Sequence, residues 1–173
     1  MIRQGTDSDQ QTTPPTVTVV VPVLNEAPSL QQLVSELQAG VTPHTAGLQI
    51  IFVDDGSLDD SWQTIRQIAR QFSEVSGIRL RRNFGKAAAL TAGMQQATGS
   101  LILMLDADLQ DDPSEFRGML QKIHSGFDVV NGWKQRRLDP WHKVYPSRVF
   151  NWLVGRMRSE EHTSELQSRI RIS

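Results

Sequence analysis

Between Thr16 and Val23 the chain reads TVTVVVPV, eight residues of which only Pro22 is not β-branched. A run this stiff and this apolar suits a strand covered on both faces, and such strands belong to parallel sheets packed between helices. The segments downstream keep to that scheme. Leu30, Leu33, Val34 and Leu37 stand at i, i+3, i+4 and i+7 behind Pro28, which predicts a helix. Leu48–Val53 predicts a second strand. The helix after it carries Trp62, Ile65, Ile68, Ala69 and Phe72 on one face, with Ser57 expected as its N-cap and Asp60 three residues on as a weak capping box. A third strand is expected at Gly77–Arg82, an Ala-rich helix at Lys86–Ala97 and a fourth strand at Ser100–Leu105. Pro113 opens a further helix with Phe116, Met119, Leu120 and Ile123 inward, and Phe127–Asn131 reads as a fifth strand. Strands and helices alternate at a spacing of ~20–30 residues, so the fold class is α/β, built of βαβ units around a Rossmann-like, mostly parallel sheet with helices on both faces.

Composition narrows the function more than the fold. Without Cys there is no disulfide framework, no thiolate zinc site and no Cys nucleophile. Lys and Arg number 18 against 19 Asp and Glu, so the net charge of -1 gives no general reason to bind nucleic acid. No stretch approaches the ~18 uninterrupted apolar residues of a membrane-spanning helix. Residues 1–15 are polar with two prolines and are expected to be a disordered leader. At the other end, Arg158–Ser168 reads RSEEHTSELQS and resembles an in-frame translation of a sequencing adapter. Residues 158–173 are therefore expected to be a non-native tail, and 16–157 the front part of a longer domain.

In a parallel sheet ligands gather outside the carboxyl ends of the strands, and the acids of this chain fall there. Glu26 follows strand one, Asp54 and Asp55 follow strand two, and Asp106 and Asp108 follow strand four. The segment Asp106-Ala107-Asp108-Leu109-Gln110-Asp111-Asp112 packs carboxylates closely enough to repel. A hard divalent cation, Mg²⁺ or Mn²⁺, bridging to substrate phosphates would neutralise them. The plainer alternative is a solvated acidic loop in which Asp112 caps the helix opened by Pro113. Direct placement after an apolar strand favours the cation.

Three other motifs fail on the letters. An EF-hand loop starting at Asp106 would place Asp111 where Gly belongs and Arg117 where Glu belongs. Gly85-Lys86 is followed by Ala87 and lacks the upstream Gly of a Walker A loop, and no G-x-G-x-x-G occurs. Val53-Asp54-Asp55-Gly56-Ser57 reads either as a turn with a helix cap or as a site where Asp55 accepts from a nucleobase N–H or a ribose hydroxyl.

Taken in order, VPVLNE, IIFVDDGSLDDSW, LRRNFGKAAALTAG and LMLDADLQDDP resemble the family 2 glycosyltransferases of GT-A fold, and most closely their polyprenyl-phosphate sugar transferase branch. The resemblance covers about Val17–Met157. It implies that Pro22, Leu24 and Glu26 frame the nucleotide base, with Val53 and Asp55 completing the pocket, although Leu24 stands where an aromatic residue is frequent. It implies that Asp106, Ala107 and Asp108 lie along the ribose and diphosphate, that Asp108 and Gln110 ligate Mg²⁺ or Mn²⁺, and that Lys134 faces the donor phosphates. The implied partners are a nucleotide-sugar donor (UDP- or GDP-sugar) and a polyprenyl phosphate acceptor at the cytoplasmic face of a membrane, with downstream transmembrane helices in some relatives.

Elementary chemistry agrees with such a transfer. Charge grows on the β-phosphate of the leaving nucleoside diphosphate, where a divalent cation and a side chain such as Lys134 would stabilise it. A phosphate acceptor with a second pKa of ~6 is already nucleophilic at neutral pH, so no strong general base is needed. Single in-line displacement inverts the anomeric carbon. Trp133–Met157 carries six basic residues against the single acid Asp139, with Trp133, Trp141 and Trp152 among them. That mixture suits either an anionic bilayer surface or a solvated basic face with Trp anchors in the core. Two further readings stand beside the transferase. A haloacid-dehalogenase type phosphotransferase wants Thr or Val where Gln110 stands and its acids after the first strand, and a nucleotide-binding fragment would turn nothing over.

Overall fold

The computed structural model describes residues 14–132. Four strands, β1 (Thr16–Val23), β2 (Gly47–Asp54), β3 (Val75–Arg79) and β4 (Leu101–Met104), form one sheet in the order β3-β2-β1-β4. Every pairing is parallel, with Thr16 beside Gly47, Val17 beside Leu101 and Ile50 beside Val75. Four helices connect or follow them: α1 (Leu30–Gly40), α2 (Ser61–Gln71), α3 (Lys86–Met94) and α4 (Phe116–His124). The α/β class and the parallel sheet are as expected.

Alternation along β1 and β2 divides the core. Val17, Val19, Val21 and Val23 with Ile50 and Phe52 pack against Leu30, Leu33, Val34 and Leu37 of α1, Ile65 and Ile68 of α2 and Phe116 of α4. On the opposite face Val20, Ile51 and Val53 meet Ala89 of α3. Gly93 lets α3 sit on the sheet, because a Cβ there would collide with Val20 Cγ1. Burying each large aliphatic side chain contributes ~1.5–3 kcal/mol, so the two layers fix the sheet against helices on both faces.

Four expectations are corrected. The third strand runs Val75–Arg79 rather than Gly77–Arg82. The helix after β2 begins at Ser61 with Asp60 at its N-cap, and Ser57 lies in the preceding loop. Its hydroxyl is committed elsewhere, accepting from the Asn25 N–H at 3.0 Å. Residues Phe127–Asn131 form no strand; Phe127 and Val129 are 57% and 74% exposed and have no neighbouring strand to pair with among the described residues. The Ala-rich helix stops at Met94 rather than Ala97, and its turn hands over to Thr98 and Gly99, whose N–H groups donate to the Thr18 hydroxyl at 3.3 and 2.8 Å. Among the described residues no helix is long and apolar enough to cross a membrane. Lys134, the basic Trp-bearing stretch at 133–157 and the tail at 158–173 lie outside the described residues.

Candidate active site

Three strand ends and one helix start meet at a single rim. Pro22, Leu24 and Glu26 come from β1 and its loop, Asp55 from the end of β2, Asn83, Gly85 and Lys86 from the entry to α3, and Asp106, Ala107 and Asp108 from the end of β4. Together they line a cleft of about 320 Å³ at the carboxyl edge of the sheet. Asp55 and Asp108, 53 positions apart in the sequence, thus face one space.

The loop after β1 is held by the loop after β2. Asn25 sits at φ 57, a left-handed conformation that Asn tolerates better than most residues. Its Oδ1 accepts the Leu58 N–H at 2.8 Å, while its own N–H donates to Ser57 Oγ. The next two amides continue the lacing: Glu26 N–H donates to Ser61 Oγ at 2.9 Å and Ala27 N–H to Asp59 Oδ2 at 3.2 Å. Four bonds therefore set the position of Glu26. Asp59 is itself held below the ordinary carboxylate range; burial works against this, but hydrogen bonds from Ser61 and Ala27 outweigh it.

The two acids that end β2 point apart, as strand alternation requires. Asp54 is fully buried; its Oδ1 accepts the Ser57 N–H at 2.8 Å and its Oδ2 lies 3.3 Å from Arg79 Nε in an ion pair without hydrogen-bond alignment. Asp55 accepts the Phe84 N–H at 2.8 Å on Oδ1 and the Gly85 N–H at 2.9 Å on Oδ2. Gly56 between them and the helix is at φ +79, and a Cβ there would lie 2.5 Å from the Arg82 carbonyl carbon. Only glycine fits that corner.

Beyond β4 the acidic loop is ordered by its own carboxylates. The Asp106 N–H donates to Asp111 Oδ2 at 3.3 Å, the Gln110 N–H to Asp108 Oδ1 at 3.1 Å, and the Ser114 N–H to Asp112 Oδ1 at 2.9 Å. Leu109 takes φ 59, a strained backbone for a branched side chain, and its side chain packs on the main core. Asp112 thus does the capping that the plainer reading assigned to it, while Asp106 and Asp108 line the cleft. Lys86 Nζ is paired with Asp106 Oδ1. The Glu26 carboxyl is pushed above its ordinary value of 4.5, first by burial and then by the negative charges of Asp108, Asp59 and Asp106.

Not every expected residue reaches the cleft. Val53 is fully buried in the layer beneath α3, and Gln110, although it bonds Asp108, is not among the lining residues. Conversely, Asn83, Gly85 and Lys86 line it although no site role was expected of them; they stand in the LRRNFGKAAALTAG stretch that carries part of the resemblance, where a glycine and a lysine open α3 at the sheet edge. Among the described residues no group of three or more His, Asp or Glu side chains forms a ready metal cage. The set does fit Mg²⁺ or Mn²⁺ held by one or two carboxylates and completed by substrate phosphates, because the charges of Asp108 and Asp106 bear on Glu26 around a cleft whose lining holds one cation among the described residues, Lys86. A second cleft of about 800 Å³ adjoins the first, sharing Leu24 and Asn83 with it and lined by Arg79, Arg81 and Arg82.

A family model described as glycosyl transferase family 2 matches residues 18–172. Among curated proteins, an undecaprenyl-phosphate 4-deoxy-4-formamido-L-arabinose transferase of Aeromonas hydrophila is 38% identical over 136 residues, covering 78% of this chain and 42% of the relative. A protein of the same name from Pseudomonas aeruginosa is 38% identical over 141 residues, 81% of this chain and 42% of its own length. The chain thus spans about two fifths of the curated relatives it matches. Among solved structures, a mannosyltransferase from Pyrobaculum calidifontis in complex with GDP-Man and Mn²⁺ aligns at TM-score 0.58 and 26% identity, covering 69% of this chain and 34% of that one. Staphylococcus aureus TarS in complex with UDP aligns at TM-score 0.55 and 21% identity over 70% of this chain and 38% of that chain, a likeness of fold alone.

Proposed function

The chain belongs to glycosyl transferase family 2, and on that premise we propose that it carries the donor site of an inverting glycosyltransferase that moves a sugar from a nucleoside-diphosphate sugar to a polyprenyl phosphate. The observation that carries the reading is the convergence of Asp55 and Asp108 on one cleft at the carboxyl edge of a GT-A sheet. The names of the 38% identical relatives support the lipid phosphate acceptor, and the GDP-Man and Mn²⁺ of the mannosyltransferase neighbour support a nucleotide-sugar donor with a divalent ion.

In this reading Pro22, Leu24 and Glu26 frame the base. Asp55 completes the pocket: each of its oxygens already accepts one backbone N–H, and each keeps a second lone pair for a base N–H or ribose hydroxyl. Val53 contributes by shaping the floor of β2 from within the core rather than by side-chain contact. Asp106, Ala107 and Asp108 run along the ribose and diphosphate, and Asp108 with Gln110 would hold Mg²⁺ or Mn²⁺. When bound, that ion supplies positive charge to the β-phosphate as the glycosidic bond breaks. Lys134 adds a second cation for the departing diphosphate. The acceptor phosphate is largely dianionic at neutral pH and attacks the anomeric carbon directly, which inverts it without a strong base. The basic, Trp-bearing stretch at 133–157 is assigned to the anionic surface of the membrane on its cytoplasmic side, where each basic residue contributes ~1 kcal/mol.

A second reading has one observation in its favour. The chain spans 42% of the relatives' length, and a nucleotide-binding fragment would take up the donor without turning it over. Incubation with UDP- and GDP-sugars, Mn²⁺ and undecaprenyl phosphate separates the two. Lipid-linked sugar supports the transferase, and donor binding without lipid product supports the fragment. Absence of any nucleotide binding contradicts both.

A further inference from the structure

We propose that Lys86 is a positioning residue of the donor site: its ammonium holds the Asp106 carboxylate to the start of α3, leaving Asp108 as the one acid of this pair that meets the divalent cation. The inference rests on the donor-site reading above.

Both partners of the pair are fixed through their backbones. Lys86 is the first residue of α3, and the two residues before it are gripped by Asp55, which accepts the Phe84 N–H at 2.8 Å and the Gly85 N–H at 2.9 Å. Three residues on, Ala89 is fully buried against Val20, Ile51 and Val53, so the helix cannot shift along the sheet. On the other side, the Asp106 N–H is tied to Asp111 Oδ2 at 3.3 Å, and Ala107 is only 3% exposed. An ion pair whose side chains are 60% and 36% exposed adds little to stability, so its place in the cleft, not the fold, gives it a role. There Glu26, Asp106 and Asp108 converge, and Lys86 is the one cation of that lining among the described residues. With Asp106 engaged, the acids cannot all turn onto one ion. The carboxylate at the base end of the cleft is thereby linked through the α3 entry to the carboxylate beside the diphosphate.

The test uses the full chain, MnCl₂ and either GDP or UDP, with Mn²⁺ uptake read from the free-ion electron paramagnetic resonance signal. Replacing Lys86 by Met frees Asp106 and removes a positive charge, so Mn²⁺ affinity in the presence of nucleotide should tighten at least about threefold. Lys86→Arg should behave as the wild type, and adding Asp106→Asn to Lys86→Met should return the affinity toward the starting value. A purely structural lysine would instead lower the melting temperature and weaken nucleotide and Mn²⁺ binding together. Should Lys86→Met not fold, Lys86→Gln carries the same expectation. Unchanged or weaker Mn²⁺ affinity in a folded, uncharged variant overturns the inference and leaves the donor-site reading standing. A wild-type chain that takes up no Mn²⁺ with either nucleotide overturns both.

Discussion

The carboxylate of Asp55 accepts the backbone N–H of Gly85 at 2.9 Å, so the end of β2 fixes the start of α3 across 30 residues of sequence. The same side chain takes the Phe84 N–H, and Asp55 is only 4% exposed. Hydrogen bonds to a buried charged acceptor are stronger than neutral ones, and losing both leaves the Phe84 amide without this partner and the Gly85 amide with Asn83 Oδ1 alone. Asp55→Ala is expected to cost about 3 kcal/mol, roughly 6–12 °C in melting temperature, and Asp55→Asn, which keeps one acceptor, about half of that. Thermal melts followed by circular dichroism check this.

Much of this arrangement is legible in the letters, and the losses have physical causes. β1 stands at its expected bounds, because a β-branched run buried on both faces has no other good conformation. The gathering of Glu26, Asp55 and Asp108 follows from the strand-end rule once strands one, two and four are placed. Val53 lies on the same face of β2 as Asp55, but Ala89 of α3 covers it there, a packing neighbour that the letters alone do not show. Ser57 misled because its hydroxyl serves a neighbouring loop instead of its own helix, a partner that local pattern cannot see. Lys86 was missed for the same reason, since its pairing with Asp106 depends on where α3 enters relative to β4.

The corner at Gly56 should tolerate no side chain. Its φ of +79 disfavours any L residue, and an added Cβ would lie 2.5 Å from the Arg82 carbonyl carbon and 2.6 Å from the Asn83 nitrogen. Gly56→Ala is expected to destabilise the chain by about 2 kcal/mol or more, because backbone on both sides must move. The displaced segment carries Asn83 and leads into Lys86, so nucleotide affinity measured by calorimetry should fall in the same variant.

Asp112 caps the turn that begins α4, and hydrogen bonds from Ser114 hold its carboxyl below the ordinary value of 3.8. A depressed carboxylate stabilises the fold above its unfolded pKa, and the contribution is lost as pH falls through the folded one. Asp112→Ala should therefore cost about 1 kcal/mol at pH 7. Urea unfolding of both proteins in steps from pH 7 down to pH 3 should show the gap narrowing only below about pH 4.

Glu26 titrates in the opposite sense. Its carboxyl is pushed above 4.5 by burial and by its acidic neighbours, so its ionised form weakens the folded state as pH rises through that range, and the cost persists at neutrality. Without divalent ions, Glu26→Gln should raise the melting temperature at pH 7.5 by less than about 4 °C, a modest gain because the group is partly exposed. The gain should vanish below about pH 4, where both folded and unfolded chains carry the proton.

The central claim is that Asp108 gives the cleft its hold on a divalent ion and, through it, on a nucleoside diphosphate. Isothermal titration of UDP and GDP into the wild type and Asp108→Asn, each with and without Mn²⁺, addresses it most directly. One nucleotide is expected to bind the wild type at least tenfold more tightly with Mn²⁺ than without it, and Asp108→Asn to erase that difference while still melting as a folded protein. Equal Mn²⁺ dependence in the two proteins would contradict the account.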